Sequence, residues 1–521
     1  MQMWRGMKWC NPNLIILLLI PIIVVVHGFN DLEEEEVQGM SMELVHRHDA
    51  RRFAGEVDQV EAIKGFILRD TLRRQSMNQR FGLRNSNNGS HRRKDSEMVQ
   101  FQLPMHSGRD YGLGEYFVQV KVGTPGQKFW LAADTGSEFT WFNSVHKTHN
   151  KTQTKNHGGG GHKKHKGKLR KRGKKVRHNN PCNGVFCPQR SRTFKTVTCS
   201  SRKCKVELSD LFSLTYCPKP SDPCLYDIRH NSIYATEKGT QTRTEDFDPC
   251  YVDGSSAKGF FGSDTITVEL SNGRKGKLHN LTIGCTKTIV NGVTFNEDTG
   301  GILGLGYAKD AFVDKAALQY GGKFSYCLVD HLSHQNVSSY LTFGTPKVKL
   351  LSEMRRTELF LAAPFYGVNV VGISVGGQML KIPSQVWDFN AQGGTIIDSG
   401  TTLTNLALPA YEQLFEALKK SLTKVKRVPA GDFGGLDYCF DAKGFDESSV
   451  PRLVFHFAGG VRFEPPVKSY IIDVAPQVKC IGVLAINGPG ASVIGNIMQQ
   501  NHLWEFDLAH NTVGFAPSAC N

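Results

Sequence analysis

One pattern occurs twice in this 521-residue chain, and it restricts the fold more than any other feature. Ala133-Asp134-Thr135-Gly136-Ser137 is followed downstream by Gly301-Ile302-Leu303-Gly304. Ile397-Asp398-Ser399-Gly400-Thr401 is followed by Val493-Ile494-Gly495-Asn496. In each copy an apolar, strand-like run ends in Asp-(Thr/Ser)-Gly-(Ser/Thr), and an apolar-apolar-Gly segment comes later. A lone D-T-G is common in turns and carries little weight. Two copies, each with its partner segment in the same order, point to internal duplication: two similar units with one aspartate each.

The surrounding texture says what those units are made of. Short alternating or apolar runs recur from Tyr116 onward: YFVQVKV, FWLAA, TITVEL, YLTFG, FYGVNVVGISV, GTIID, LVFHF, VRFEP and CIGVLAI. Gly, Pro, Asn and Asp punctuate them at turn-like intervals, an all-β signature. Sustained helical periodicity is confined to Leu408–Leu422, with a weaker helical stretch at Val60–Arg74 in an otherwise polar, charged N-terminal segment. The expectation is an all-β chain folded as two lobes with a cleft between them.

Two carboxylates facing each other across such a cleft repel as anions, so they share one proton and titrate in two coupled steps. The ionised partner, Asp134 or Asp398, can take a proton from a water held between them, and the protonated one can hydrogen-bond a substrate carbonyl. The flanking residues suit that task. Gly136 and Gly400 permit tight turns and close approach of the two loops. Thr135 and Ser399 can brace the opposing loop, while Ser137 and Thr401 can donate to the carboxylates and bias which is ionised. No metal, cofactor or covalent nucleophile is needed, and none is expected. A two-carboxylate glycosidase uses similar groups, but nothing else in the sequence supports one.

Charge and targeting set the context. The net charge of +15 invites a polyanion-binding class, yet 13 Lys/Arg fall between Lys147 and Arg177, where no acidic residue lies. The rest of the chain is close to neutral, so the charge belongs to an insertion spanning 146–178. That insertion also carries six His, at 146, 149, 157, 162, 165 and 178, which could be taken for a metal tract. A solvated loop is the plainer reading, with non-specific polyanion contact through 147–177 as the functional one; lacking interleaved aromatics, it is poorly suited to base recognition. Arg5 and Lys8 precede the 13-residue apolar run Leu14–Val26, then Val26-His27-Gly28 offers a cleavage site. This makes 1–28 a signal peptide, too short and Pro-interrupted for a comfortable membrane anchor. No transmembrane anchor is expected elsewhere. The secretory pathway, extracellular or vacuolar, follows.

A secretory start makes disulfides the expected use of the cysteines. The candidates are Cys182, Cys187, Cys199, Cys204, Cys217, Cys224, Cys285, Cys327, Cys439, Cys480 and Cys520, with Cys250 a twelfth mature cysteine. Zinc-like spacings at 182/187 and 199/204 have no matching second ligand pair. Sequons at Asn88, Asn150, Asn280 and Asn336 suit a secreted surface, the last three as glycosylation candidates.

YFVQVKVGTP at Tyr116, DTGS at Asp134, YVDGS at Tyr251, GILGLG at Gly301, DSGT at Asp398 and VIGN at Val493 resemble the pepsin-like (A1) aspartic proteases. FSYCLVDHLS at Phe324, IPSQVWD at Ile382 and FAPSAC at Phe515 are similar to the atypical, nepenthesin-like plant group. The resemblance spans roughly Gly112 to Asn521 and implies an aspartic endopeptidase acting on polypeptides at acidic pH, a monomer made as a zymogen. It implies the catalytic pair Asp134 and Asp398, a flap over the substrate built on Tyr251, Gly254 and Ser255, and a bridge between Cys439 and Cys480. It also implies a prosegment at 29–97, an N-terminal lobe at 98–348 and a C-terminal lobe at 349–521, with Val60–Arg74 shielding the cleft and its cations facing the dyad. The family's run from Cys224-Leu-Tyr226 into Tyr251-Val-Asp253-Gly254 is split here by 230–250, either retained non-coding sequence or a flap insertion. A chloroplast address is the alternative localisation by resemblance, opposed by the acidic run at Asp31. The alternative function is a catalytically weak pepsin-like protein acting as a polyanion/DNA-binding or inhibitor protein.

Overall fold

Apolar residues on both faces of a strand place it between two layers, and Tyr116–Val122 has that character. Val118, Val120 and Val122 join the main core with Leu131, Ala133 and Phe142, while Phe117 turns to a second cluster holding Ala132, Trp141, Tyr226, Phe261 and Ile302. A computed structural model describes Val60, Ile63, Lys64, Ile67 and Asp70. It then describes residues 101–107, 114–144, 182, 184–208, 219–227, 256–270, 274–290, 300–330, 339–346, 348–362, 364–429, 433–488 and 490–520. The signal-like 1–28, the insertions at 146–178 and 230–250, Tyr251, Gly254, Ser255, Asn150 and Asn336 lie outside the described residues.

The duplication in sequence becomes a duplicated topology. In the first lobe Tyr116–Val122 pairs antiparallel with Gln127–Asp134, which runs parallel to Gly301–Gly304. Trp141–Asn143 then lies antiparallel to Gly301–Gly304 and parallel to Lys275–Val290. The second lobe repeats this: Phe365–Val368 pairs antiparallel with Thr395–Ile397, which runs parallel to Ser492–Ile494. Thr404–Ala407 lies antiparallel to Ser492–Ile494 and parallel to Val483–Ile486. Every strand in one list has its counterpart in the other.

A shared antiparallel sheet joins the two lobes. Its strands run in the order Phe101–Ser107, Ser339–Phe343, Lys323–Cys327, His502–Asp507, Thr512–Pro517 and Arg355–Ala362. Aromatic side chains fill its interior: Phe324 stacks on Phe506 at 4.7 Å between ring centroids, and Trp504 is fully buried against Phe463 and Phe515. Cys327 and Cys520 close this region with a disulfide. The longest described helix, Leu408–Ser421, starts with a proline in its first turn and ends with Lys419 and Lys420, and it buries Ala410, Tyr411, Leu414 and Leu418 on one face.

Further disulfides join Cys182 to Cys187, Cys204 to Cys224 and Cys439 to Cys480. Cys199 is also disulfide-bonded, its partner lying outside the described residues. Cys285 is different: it is a buried free thiol, not half of a bridge. It sits in the middle of Lys275–Val290, opposite Phe142 and Phe260, where the core holds it as a small apolar side chain. Burial, with the Asp264 charge adding to it, pushes the thiol well above its usual range. Iodoacetamide should therefore leave Cys285 unmodified in the native protein and label it after unfolding, as read by peptide mass mapping. Native labelling at this residue would contradict the packing. Asn280, the one glycosylation candidate among the described residues, is exposed with φ 53° at a bulge in the same strand.

Candidate active site

Each aspartate ends up where it does because a strand runs out beneath it. Gln127–Asp134 ends on Asp134, level with Gly304 of the parallel neighbour, whose successor Leu305 donates its N–H to the Asp134 carbonyl at 2.8 Å. Thr395–Ile397 stops one residue before Asp398, whose N–H donates to the Ile494 carbonyl at 3.2 Å. The chain then turns and returns past the apolar-apolar-Gly segment, and the glycine is required by closeness. A Cβ on Gly304 would come within 2.5 Å of the Phe139 nitrogen, and one on Gly495 within 2.5 Å of the Leu403 oxygen. Thr140 Oγ1 accepts the Gly304 N–H at 3.1 Å, and Thr404 Oγ1 accepts the Gly495 N–H at 3.2 Å. The two crossings use corresponding residues, each glycine against the residue five after its aspartate and bonded to the threonine six after it.

The loops also hold their own carboxylates alike. Gly136 N–H donates to Asp134 Oδ1 at 2.9 Å and Ser137 Oγ to Asp134 Oδ2 at 2.5 Å. Gly400 N–H donates to Asp398 Oδ1 at 3.0 Å and Thr401 Oγ1 to Asp398 Oδ2 at 2.5 Å. Both carboxylates are buried, Asp134 at 2% exposure and Asp398 at 0%.

Between the loops the bonds are reciprocal. Thr135 N–H donates to Ser399 Oγ at 3.1 Å, and Ser399 N–H donates to Thr135 Oγ1 at 2.8 Å. Ser399 Oγ passes its proton on to the Ala133 carbonyl at 2.9 Å, and Thr135 Oγ1 reaches Asp398 Oδ1 at 3.4 Å. Residues more than 260 positions apart are thus locked by hydrogen bonds that neither loop makes alone. Thr135, Gly136, Ser137, Ser399, Gly400 and Thr401 all converge on the aspartates.

A second layer, not anticipated from sequence, backs the Asp398 side. Gln499 Nε2 donates to the Asp398 and Ile494 carbonyls at 3.1 and 2.7 Å, and Asn496 Nδ2 donates to the Ser399 carbonyl at 3.0 Å. Tyr326 Oη donates to Gln499 Oε1 at 2.5 Å. Burial first, then the Asp398 charge, pushes the Tyr326 phenol far above its ordinary value, so it remains a neutral donor. Among the described residues no group of three or more His, Cys, Asp or Glu could hold a metal ion.

Family models for the xylanase inhibitor N-terminal and C-terminal regions match residues 116–345 and 365–517. Aspartyl protease family protein 2 of Arabidopsis thaliana is 30% identical over 431 residues, covering 81% of this chain and 74% of that protein. The chain belongs to the pepsin-like aspartyl protease family. Aspartic proteinase nepenthesin-1 of Nepenthes gracilis is 26% identical over 422 residues, covering 78% of this chain and 79% of its own. The basic 7S globulin from soybean, 17% identical with a TM-score of 0.55, covers 81% of this chain and 98% of that one, a likeness of fold alone.

Within this aspartyl protease fold the flap candidates Tyr251, Gly254 and Ser255 lie outside the described residues, which resume at Ser256, the start of the hairpin strand Ser256–Glu269. Thr140 and Thr404 were legible but not singled out: each stands six residues after its aspartate, in DTGSEFT and DSGTTLT. Gln499 lies outside the repeat, and Asn496 follows Gly495 where Leu305 follows Gly304 in the first copy, so neither role is signalled by the duplication. The described part of the Val60–Arg74 stretch meets the body through Ile63 and Ile67 and through Asp70, while Arg69, Arg73 and Arg74, among the cations expected to face the dyad, lie outside the described residues.

Proposed function

We propose that this protein is an aspartic endopeptidase, made as a secretory precursor, that hydrolyses peptide bonds with a water activated between Asp134 and Asp398. The reading rests most on one observation: two buried carboxylates, each held by its own loop, with the loops interlocked through Thr135 and Ser399. A pair so placed cannot keep two negative charges and shares a proton. The ionised member takes a proton from the water as its oxygen attacks the scissile carbonyl carbon. The protonated member hydrogen-bonds the carbonyl oxygen, and the leaving nitrogen is protonated as the C–N bond breaks. Activity then needs the pair to hold one proton. It falls as pH rises through the higher coupled pKa, when both are ionised, and falls again below the lower, when both are protonated. Tyr251, with Gly254 and Ser255, is the proposed flap over the substrate. Residues 1–28 are the proposed signal peptide and 29–97 the precursor segment, ahead of lobes at 98–348 and 349–521. No described helix is long and apolar enough to cross a membrane. The test is cleavage of a denatured protein across a pH series by purified protein; no cleavage at any acidic pH would end the proposal.

The second reading, a binding or inhibitor protein on the same fold, is favoured by the family models' descriptions and by the basic stretch 147–177. As a tether, that stretch would act by counterion release and weaken with salt. Full-length protein should elute later from heparin than a variant lacking Lys147–Arg177, with the gap closing as salt rises; equal retention would remove the tether.

A further inference from the structure

The described residues at the N-terminal end of the chain, Val60, Ile63, Lys64, Ile67 and Asp70, are helical and spaced so as to share one face. Ile63 and Ile67, 2% and 4% exposed, lie in a core cluster with Leu403, Phe433, Leu436, Leu484 and Ile497. Asp70, 1% exposed, accepts the Thr402 N–H on Oδ1 at 2.8 Å and the Leu403 N–H on Oδ2 at 2.5 Å. Those amides belong to the turn that carries the second aspartate. Thr401, one residue earlier, donates to Asp398, and Thr404, one residue later, holds the Gly495 crossing.

Two adjacent buried N–H groups pointing out of a turn must find acceptors or cost the fold their full desolvation. A carboxylate offers two oxygens at a matching separation and makes charge-assisted bonds. We propose that Asp70 is a positioning residue for the Asp398 loop, and that the helix bearing it stays bound in the working enzyme instead of leaving with the precursor segment. Removing the helix would take Ile63 and Ile67 out of this core cluster and strip both amides of their acceptor. Cleavage at the end of the proposed precursor segment, near residue 97, would cut a connection and leave these contacts in place. The inference rests on Asp398 being one of the catalytic pair.

The experiment uses the full chain and three changes: Asp70→Ala, Asp70→Asn and a protease site engineered between 78 and 97. With Asp70→Ala, kcat should fall roughly 10- to 100-fold while KM moves less than about twofold, the pattern of a displaced catalytic loop. Asp70→Asn, which keeps one acceptor oxygen, should fall between, and it serves if the alanine variant does not fold. Hydrogen exchange at the Thr402 and Leu403 amides, measured in an Asp134→Asn background so that turnover plays no part, should speed up by at least about 10-fold on loss of the carboxylate. After cutting at the engineered site, the helix fragment should co-elute with the body and activity should persist. Unchanged kcat and unchanged exchange in Asp70→Ala, or full activity after the fragment is washed away, would overturn the proposal. If the wild-type chain cleaves nothing, the catalytic reading fails on its own, and the exchange comparison still decides whether Asp70 holds this loop.

Discussion

Asp134→Asn and Asp398→Asn should each abolish acidic proteolysis while leaving the protein folded. An asparagine oxygen can still accept the N–H of Gly136 or Gly400, and the Ser137 and Thr401 hydroxyls can rotate to accept from the new amide. The loops and their interlock therefore have no reason to move. What the amide cannot do is carry a negative charge or share a proton. In either variant the remaining aspartate is a lone buried carboxyl with no partner to divide protons with, so the base that activates water and the acid that polarises the carbonyl are no longer both present. The expected loss is at least about 1,000-fold in kcat/KM for each single change, and the double change should cost little more, because the two groups act as one unit. Thermal unfolding midpoints should stay close to wild type, which separates lost chemistry from lost structure. Residual cleavage in either variant, with the wild-type pH profile, would show that the chemistry is elsewhere.

Why the sequence disclosed this much is physical. Backbone crossings that demand glycine, such as Gly304 against Phe139 and Gly495 against Leu403, cannot be met by other residues, so both lobes display apolar-apolar-Gly at the same place. Strands with two buried faces are written as apolar runs, as at Thr395–Ile397, and half-buried ones as alternation, as at Leu453–Phe457; both kinds, with Tyr116–Val122, fall within the runs read from the sequence. The short helices Phe312–Gln319 and Asn496–Gln499 went unseen: two turns or fewer give too little periodicity to detect. Gln499 is the sharper case. Its worth comes from where Tyr326, Ile494 and the Asp398 carbonyl meet, a tertiary coincidence that no local spacing encodes. Cys285 failed for the opposite reason. Cysteine count suggests pairing, but the residue's place in the middle of a core strand decides its state. Asp70 combines both: its helix showed as a weak period, while its acceptor role depends on two amides some 330 residues away.

Ser399→Ala should be the most damaging change that leaves both carboxylates in place. The hydroxyl it removes accepts the Thr135 N–H and donates to the Ala133 carbonyl, the buried residues on either side of Asp134. Each group left unsatisfied costs about 1–3 kcal/mol, a large share of the 5–15 kcal/mol typical of a domain's stability. The functional cost is geometric. With one half of the reciprocal lock gone, Thr135 Oγ1 still accepts the Ser399 N–H, but a single backbone bond in place of two lets the first loop shift against the second, and the carboxylates move from the positions in which they share a proton. A displacement of 1 Å in such a pair is worth about 100-fold in rate, so kcat should fall by that order with a smaller effect on KM. Thr135→Val, which removes the acceptor for the Ser399 N–H and the contact to Asp398, should do comparable harm. The double variant is the decisive measurement. Because either change alone opens the same lock, the combined loss should be well below the sum of the single losses, a coupling of about 0.5–3 kcal/mol in a double-mutant cycle. Exchanging the two side chains, Thr135→Ser with Ser399→Thr, keeps both hydroxyls and should restore most of the activity. Strict additivity, or an Ser399→Ala enzyme with wild-type kcat, would mean that the loops are held by their own lobes and that the reciprocal bonds are incidental.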